Sequence, residues 1–162
     1  MNRAGWAAMG LLLALGLATS GRAQTAPRFH TVEINDDALT VIDLASIERR
    51  GEHAIAWLVI VMPKAEAFRY LESRTEFDCA GRRLRRIAQR IHGDDHRLID
   101  EDQEVGDWKP IVDPSIAKDL LLAACDPDKT EAPALASPDV PALVDRYLSL
   151  RLELMSERPN PH

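Results

Sequence analysis

The amino-acid sequence predicts an α+β domain: a single antiparallel β-sheet of about five or six strands, with a disulfide-tethered helix and an additional C-terminal amphipathic helix. The first observation behind this is an alternating segment, Phe68 to His92, that turns back on itself at Ala80-Gly81. The second is a pair of cysteines, Cys79 and Cys125. The third is a helical spacing of apolar residues near the C-terminus. Strand signals followed by helix signals are typical of an α+β arrangement.

Residues 1–23 have the three parts of a cleavable signal peptide. Arg3 supplies the positive start, residues 7–18 the apolar core, and Gly21-Arg22-Ala23 a small-x-small cleavage motif. The apolar run is roughly 15 residues long, short of the ~20 that span a bilayer, so we expect cleavage and no stable membrane insertion afterwards. No cysteine follows the apolar core, and the motif for lipid attachment is therefore missing. We expect a mature chain that begins near Gln24 and is periplasmic or secreted.

The charge of the chain excludes one class of partner. The sequence has 20 Lys and Arg against 26 Asp and Glu, a formal net charge of −6. Removal of residues 1–23 takes away Arg3 and Arg22 and no acidic residue, which leaves a net charge of about −8. Such a surface repels nucleic acid, so no nucleic-acid partner is expected.

The strands are predicted from alternating apolar and polar residues, the period-two pattern of a half-buried strand. Residues 35–37 form a turn after the first strand, and residues 45–50 form one helical turn or a loop that ends at Gly51. The segment 52–62 is apolar on both sides towards its end, which predicts a central strand. The predicted strands cover residues 29–34, 39–44, 52–62, 71–79, 87–91 and 97–103, the last followed by an acidic loop to Gly106.

The two strands of the hairpin each have one face that can be buried. In the first strand the buried face is formed by Leu71, Ser73, Thr75, Phe77 and Cys79, and the polar face by Glu72, Arg74, Glu76 and Asp78. In the second strand Ile87, Gln89 and Ile91 alternate with Arg86, Ala88 and Arg90. The hairpin therefore predicts two strands that each have one solvent-exposed face.

Two helices follow the strands. Asp113 is predicted as the N-cap and Pro114 as the first residue of a helix whose apolar stripe is Ile116, Leu120, Ala123 and Ala124 and which ends at Cys125. Residues 127–138 are rich in Pro and Ala and read as a linker. Residues 139–157 carry Val140, Leu143, Tyr147, Leu150 and Leu154 at helical spacing, which predicts an amphipathic helix. Residues 158–162 should be a frayed tail.

The two cysteines have two interpretations. An even count in an oxidising compartment favours a disulfide, whereas a two-cysteine metal site would need closer spacing than Cys79 and Cys125 have. A bridge over this loop would contribute about 4 kcal/mol by the chain-entropy estimate. Since Cys125 ends the predicted helix, the bridge would clamp that helix onto the sheet.

A family resemblance extends over residues 29–125. It rests on Val41-Ile42-Asp43, Ser46-Ile47, Gly51, Trp57, Phe77-Asp78-Cys79, Trp108, Ile111, Pro114-Ser115 and Cys125. In this order they resemble the surface-adhesin protein E-like family of bacterial exported proteins. The resemblance implies one antiparallel sheet with a helix bound to it by a Cys–Cys bridge. It also implies a non-enzymatic role in binding another protein, in adhesins a host matrix protein. The predicted C-terminal helix lies outside it.

The basic run after the hairpin turn and Trp108 are the candidate binding residues. Arg82, Arg83, Arg85 and Arg86 could offer fixed-geometry donors to a polyanion or a protein. Carboxylates on the partner strand would instead pair with them and leave an ordinary solvated face. Trp108 follows an acidic loop and could be exposed.

Other candidate sites are weaker. His92, Asp94, Asp95 and His96 suit a divalent metal by type, but turns select Asp and Gly for backbone reasons, so no metal is expected. The acidic residues Asp100, Glu101, Asp102 and Glu104 lack the spaced ligands and glycine of an EF-hand. No serine has a triad context such as G-x-S-x-G, and no cofactor motif is present. We expect no catalytic residue.

Two functional hypotheses remain open at this point. The leading one is an exported, non-catalytic domain that binds a protein or a cell-envelope component. The alternative is a periplasmic enzyme or enzyme accessory, which would need a deep pocket with convergent polar groups. The apolar stripe of the C-terminal helix also allows two outcomes, since the helix either docks on its own sheet or reaches a second copy of the chain.

Overall fold

The structure is a computed structural model that describes residues 28–130 and 134–157 of the chain. The predicted signal peptide, 1–23, and tail, 158–162, lie outside these residues. The strands are β1 (Phe29–Ile34), β2 (Leu39–Asp43), β3 (Glu48–Arg50), β4 (His53–Val61), β5 (Tyr70–Asp78), β6 (Arg83–His92), β7 (Leu98–Asp102), β8 (Lys109–Pro110) and β9 (Ala134–Leu135). The helices are α1 (Ile116–Cys125) and α2 (Val140–Glu157).

One antiparallel sheet contains all nine of these strands, which confirms the α+β prediction. Its main order is β7-β6-β5-β4-β2-β1-β9, while β3 pairs with β4 and β8 pairs with β6. The strand β4 lies in the middle, as its apolar sequence predicts. The β5–β6 hairpin is the longest pairing together with β4–β5, and it extends the sheet on one side of β4.

Each face of the sheet carries one helix. Alternation along β4 sends Ala54, Ala56 and Leu58 to the α1 side, where they pack against Leu120, Leu121, Ala123 and Ala124. The residues Val59 and Val61 point to the opposite side, where they pack against Leu143, Val144 and Tyr147 of α2. The two cores share the strands, so β4 is buried on both faces.

The disulfide between Cys79 and Cys125 is present, with the two Cα atoms 5.8 Å apart. Cys79 follows β5 directly and Cys125 ends α1, so the bridge ties the end of the helix to the start of the hairpin turn. The prediction of a disulfide-tethered helix is confirmed.

The number of strands is larger than the predicted five or six. Three additional strands, β3, β8 and β9, have only two or three residues each, too few to show a period of two. Residues 45–50, predicted as one helical turn or a loop, divide into a 3₁₀ turn at Leu44–Ser46 and β3. The strand forms because Gly51, with φ of 64°, lets Arg50 turn back to pair with His53.

The predicted start of α1 is wrong. The N-cap is Ser115, whose Oγ accepts a hydrogen bond from the backbone N–H of Lys118 at 3.2 Å. Asp113 lies outside the helix and its carboxylate pairs with Arg82 and Lys118 instead. Ile116 of the predicted stripe is 40% exposed, whereas Leu121, outside that stripe, is buried.

The Pro- and Ala-rich segment has short elements of its own. A 3₁₀ turn covers Pro127–Lys129, and β9 pairs with the start of β1. The pairing brings the chain across the edge of the sheet to the face opposite α1. There α2 begins at Val140, with the Asp139 carboxylate accepting a hydrogen bond from Ala142 N–H at 2.9 Å.

Candidate functional site

The helix α2 covers only part of its face of the sheet. Its buried residues pack on β1, β2 and the ends of β4 and β5. Farther along β4, β5 and β6, the same face carries aromatic and charged side chains that are partly exposed. We call this open area the arginine–tryptophan face and define it by Trp57, Arg83, Arg85, Arg90 and Trp108.

Trp108 is held over β6 by the short strand that follows it. In β8, Lys109 pairs with Leu84 and Pro110 with Arg83, which brings the preceding Trp108 above the β6 side chains. The guanidinium carbon of Arg85 lies 4.5 Å from the centroid of the nearest indole ring, and that of Arg83 lies 4.9 Å away. Both are cation–π distances. The ring of His53 contacts the same indole edge-on at 5.7 Å.

A second tryptophan repeats the arrangement on the neighbouring strands. Arg90 of β6 lies 4.7 Å from the ring centroid of Trp57 on β4. Its guanidinium also pairs with Glu101 of β7 at 3.0 Å. Arg74 of β5 is the register partner of Trp57 and pairs with Glu48 at 2.9 Å. The face therefore presents two indoles, Trp108 contacted by two guanidinium groups and Trp57 by one.

Carboxylates on β5 hold the arginines beside Trp108 in place. Glu76 accepts hydrogen bonds from Arg85 at 2.7 Å and pairs with Nδ1 of His53 at 2.8 Å. Burial raises the pKa of Glu76, but the hydrogen bonds of His53 and Arg85 together outweigh it, and the net pKa is lowered. The Gly81 N–H and then Arg83 lower the pKa of Asp78. Both carboxylates stay ionised and fix the guanidinium groups at neutral pH.

The structure places only some of the predicted binding residues together. Arg83, Arg85 and Trp108 lie together on the arginine–tryptophan face. Arg86 is the register partner of buried Thr75, so it points to the α1 side, where it pairs with Asp102 at 3.1 Å. Arg82 lies in the hairpin turn with φ of 49° and pairs with Asp113 at 2.9 Å.

Several residues of this face were not predicted. Trp57, Arg90, His53 and Glu76 come from three different strands, and only the pairing register brings them together. One signal was available in the sequence, since acidic residues on β5 alternate at the same period as the arginines after the turn. That signal predicts cross-strand pairing, which the structure shows for Arg83 with Asp78 and Arg85 with Glu76.

A cleft on the α1 side bears on the enzyme hypothesis. It has a volume of about 510 Å³ and is lined by apolar residues such as Leu84 and by charged ones, among them Arg86, Asp107 and Lys109. The buried hydroxyls of Ser73 and Thr75 on its floor hydrogen-bond to each other at 3.2 Å. In the described part of the chain, neither hydroxyl has an imidazole or carboxylate as a hydrogen-bond partner. Neither hydroxyl is therefore placed as a nucleophile hydrogen-bonded to a histidine or carboxylate base.

His92 at the end of β6 and His96 in the β6–β7 turn each pair with a carboxylate. His92 pairs with Glu72 at 2.8 Å and stacks on Tyr70 with ring centroids 4.5 Å apart. His96 pairs with Asp145 of α2 at 3.1 Å. Within residues 28–130 and 134–157, no group of three or more His, Cys, Asp or Glu side chains is arranged to hold a metal ion.

No helix in the described ranges is both long enough and apolar enough to cross a membrane. The family model of surface-adhesin protein E matches residues 29–126 of the chain. The matched region is more than half of the chain and contains the sheet strands β1 to β8, α1 and both cysteines. No curated protein and no solved structure matches the chain.

Proposed function

Because the chain belongs to the surface-adhesin protein E family, we propose that it is an exported, non-catalytic domain with an adhesin-like role. In this proposal it binds another protein or a component of the cell envelope through the arginine–tryptophan face. The signal-like residues 1–23 support export, to the periplasm or to the outside of the cell.

The observation that carries the proposal is the partly exposed indole of Trp108, which both Arg83 and Arg85 contact. Tryptophan and arginine are the residue types most enriched among those that dominate binding energy at protein interfaces. Here their rotamers are fixed before binding by Asp78, Glu76 and the β8 pairing. Preformed side chains lose less conformational entropy when a partner binds.

The pairing of the arginines indicates the kind of partner. Each of Arg83, Arg85 and Arg90 already has a carboxylate partner, so the face has little excess positive charge. A polyanion such as a sulfated polysaccharide would have to compete with these carboxylates. A folded protein that offers apolar surface to the indoles and acceptors to the guanidinium edges fits the face better.

The boundaries of the mature protein belong to the same proposal. After removal of residues 1–23, the adhesin-like domain extends over residues 24–126. Residues 127–138 connect it to α2 and contribute β9 to the sheet edge. The family match ends at residue 126 and does not include α2.

The test uses the mature chain, residues 24–162, immobilised and exposed to envelope extract, with the captured proteins identified by mass spectrometry. Trp108→Ala and Arg85→Ala should each weaken capture of a specific protein about tenfold or more. Arg97→Ala is the matched control, since this side chain is 86% exposed and lies in the β6–β7 turn. Thermal melting of each variant separates loss of binding from loss of folding.

Two results would count against the proposal. In the first, Trp108→Ala and Arg85→Ala, both folded, capture the same proteins as the wild type. In the second, the chain binds heparin as strongly as protein and binding falls steeply with salt, which would make the face a polyanion site.

A further inference from the structure

The apolar stripe of α2 continues past the sheet on which the helix docks. Leu143, Val144 and Tyr147 are buried, whereas in the last two turns Leu150 is 49% exposed and Leu154 63%. The sheet ends at the β1–β2 turn, where Ile34 is 66% exposed. These exposed side chains lie together and line an apolar groove of about 290 Å³ between β1 and α2.

Polar contacts fix the end of α2 above this groove. The hydroxyl of Tyr147 donates to the backbone oxygen of Asn35 at 3.2 Å. One turn later, Arg151 donates to the backbone oxygen of Asp36 at 3.1 Å. These two hydrogen bonds tie the C-terminal half of α2 to the β1–β2 turn, with the apolar side chains of the groove exposed between them.

We propose that this end of the molecule, formed by Ile34, Leu150, Leu154 and Met155, pairs two copies of the chain across a two-fold axis. In such a pair, Leu154 and Met155 of one copy would enter the groove between Ile34 and Leu150 of the other. The contact is self-complementary because each copy supplies both the protruding side chains and the groove.

The charged residues around these apolar side chains favour a second copy of the chain over a partner whose surface is uniformly acidic or uniformly basic. Arg146 lines the continuation of the groove and Arg151 its wall, while Glu153 lies on the same two turns of α2. Around a two-fold axis perpendicular to α2, the two helices run antiparallel, so cationic positions of one copy lie towards the anionic position of the other. A uniformly acidic or basic partner would meet repulsion from one of the two.

The area of these apolar side chains limits the affinity between two copies of the chain. These side chains cover a few hundred Å² at most, so two copies bury less than the roughly 1,200 Å² of a standard interface. We expect a reversible dimer with a dissociation constant in the micromolar range. The proposal is independent of the arginine–tryptophan face, which lies elsewhere on the sheet.

Sedimentation velocity of the mature chain, from about 1 µM to about 200 µM, tests the proposal. The wild type should shift from monomer to dimer over this range, and Leu154→Glu should raise the dissociation constant at least tenfold. Val112→Glu is the matched control, because Val112 is 68% exposed and precedes α1 on the other side of the sheet. Trp108→Ala should dimerise like the wild type.

A wild-type chain that stays monomeric at all of these concentrations would overturn the proposal. So would a folded Leu154→Glu variant that dimerises as tightly as the wild type. The charge argument has its own check, since Arg151→Glu should also weaken the dimer while Arg97→Glu should not.

Discussion

The two helices are attached to opposite faces of one sheet by different means. At α1 the contact is close, because Ala123 and Ala124 of the helix lie over Ala54 and Ala56 of β4, and a disulfide locks its end. At α2 larger side chains, among them Val144 and Tyr147, pack on the sheet without a covalent link. The attachment of α1 therefore combines packing with a covalent link, while α2 is held by packing and a few polar contacts.

The disulfide should account for the largest single effect. Replacing both cysteines, Cys79→Ser with Cys125→Ser, should lower the free energy of unfolding by about 2–5 kcal/mol, since the open loop regains conformational freedom in the unfolded chain. Urea unfolding measures this directly. Adding a reductant to the wild type should reproduce the loss, and a reductant that changes nothing would mean that the bridge adds little to α1.

The packing of α2 should show the next largest effect. Leu143 is 2% exposed in the α2 core, so Leu143→Ala should cost about 2–3 kcal/mol. Leu152→Ala is the control within the same helix, because Leu152 is 66% exposed and its loss should change stability by less than about 0.5 kcal/mol.

Hydrogen exchange then separates the two helices. In the Leu143→Ala variant, amide protection should fall in α2 first and remain high in α1. Equal loss of protection in both helices would show that the two faces of the sheet unfold together. The different attachments of α1 and α2 would then not lead to different local stabilities.

Local sequence patterns predict part of the difference between the attachments of α1 and α2. Alternation in β4 and β5 assigns the correct side chains to each face, and two cysteines in an oxidising compartment predict the bridge. The helical spacing from Val140 to Leu154 predicts a helix, but not where the sheet beneath it ends. Leu150 and Leu154 are exposed for that reason, which is a property of the tertiary arrangement.

The arginine–tryptophan face was likewise only partly predictable from local sequence patterns. The alternation of Glu76 and Asp78 with the later arginines predicts cross-strand pairing. The contact of Trp108 with Arg85 needs β8, a strand of two residues that no period can indicate. The start of α1 was misplaced since Asp113 and Ser115 both suit an N-cap, and sequence alone does not decide between them.

The pKa of Tyr70 reports the docking of α2 in solution. Burial, and then the carboxylates of Glu72, Asp139 and Asp145, raise the pKa of Tyr70 to about 12. The pKa of a tyrosine in the unfolded chain is near 10. Burial of neutral Tyr70 therefore contributes fully to the free energy of unfolding below about pH 10, and this contribution is lost as the pH rises towards 12.

Tyr147→Phe leaves Tyr70 as the only tyrosine, so ultraviolet titration of this variant follows it alone. Tyrosinate should form well above pH 10, together with any loss of circular dichroism. Titration near pH 10 in a folded protein would mean that α2 does not cover Tyr70.

The smallest expected effect compares two N-caps, a serine hydroxyl at α1 and an aspartate carboxylate at α2. Ser115 caps α1 and Asp139 caps α2, and each accepts one backbone hydrogen bond in the first turn. Replacing either with Ala should cost about 1 kcal/mol. The consequences should differ, because the far end of α1 is held by Cys125 whereas the far end of α2 is not held covalently.

With Asp139→Ala, hydrogen exchange should accelerate along the whole of α2, since a weaker first turn makes undocking of the helix easier. With Ser115→Ala, exchange should accelerate only in the first turn of α1 while the disulfide is intact, and should spread along α1 once it is reduced. If reduction leaves the Ser115→Ala pattern unchanged, packing alone holds α1, and the two helices are attached in the same way after all.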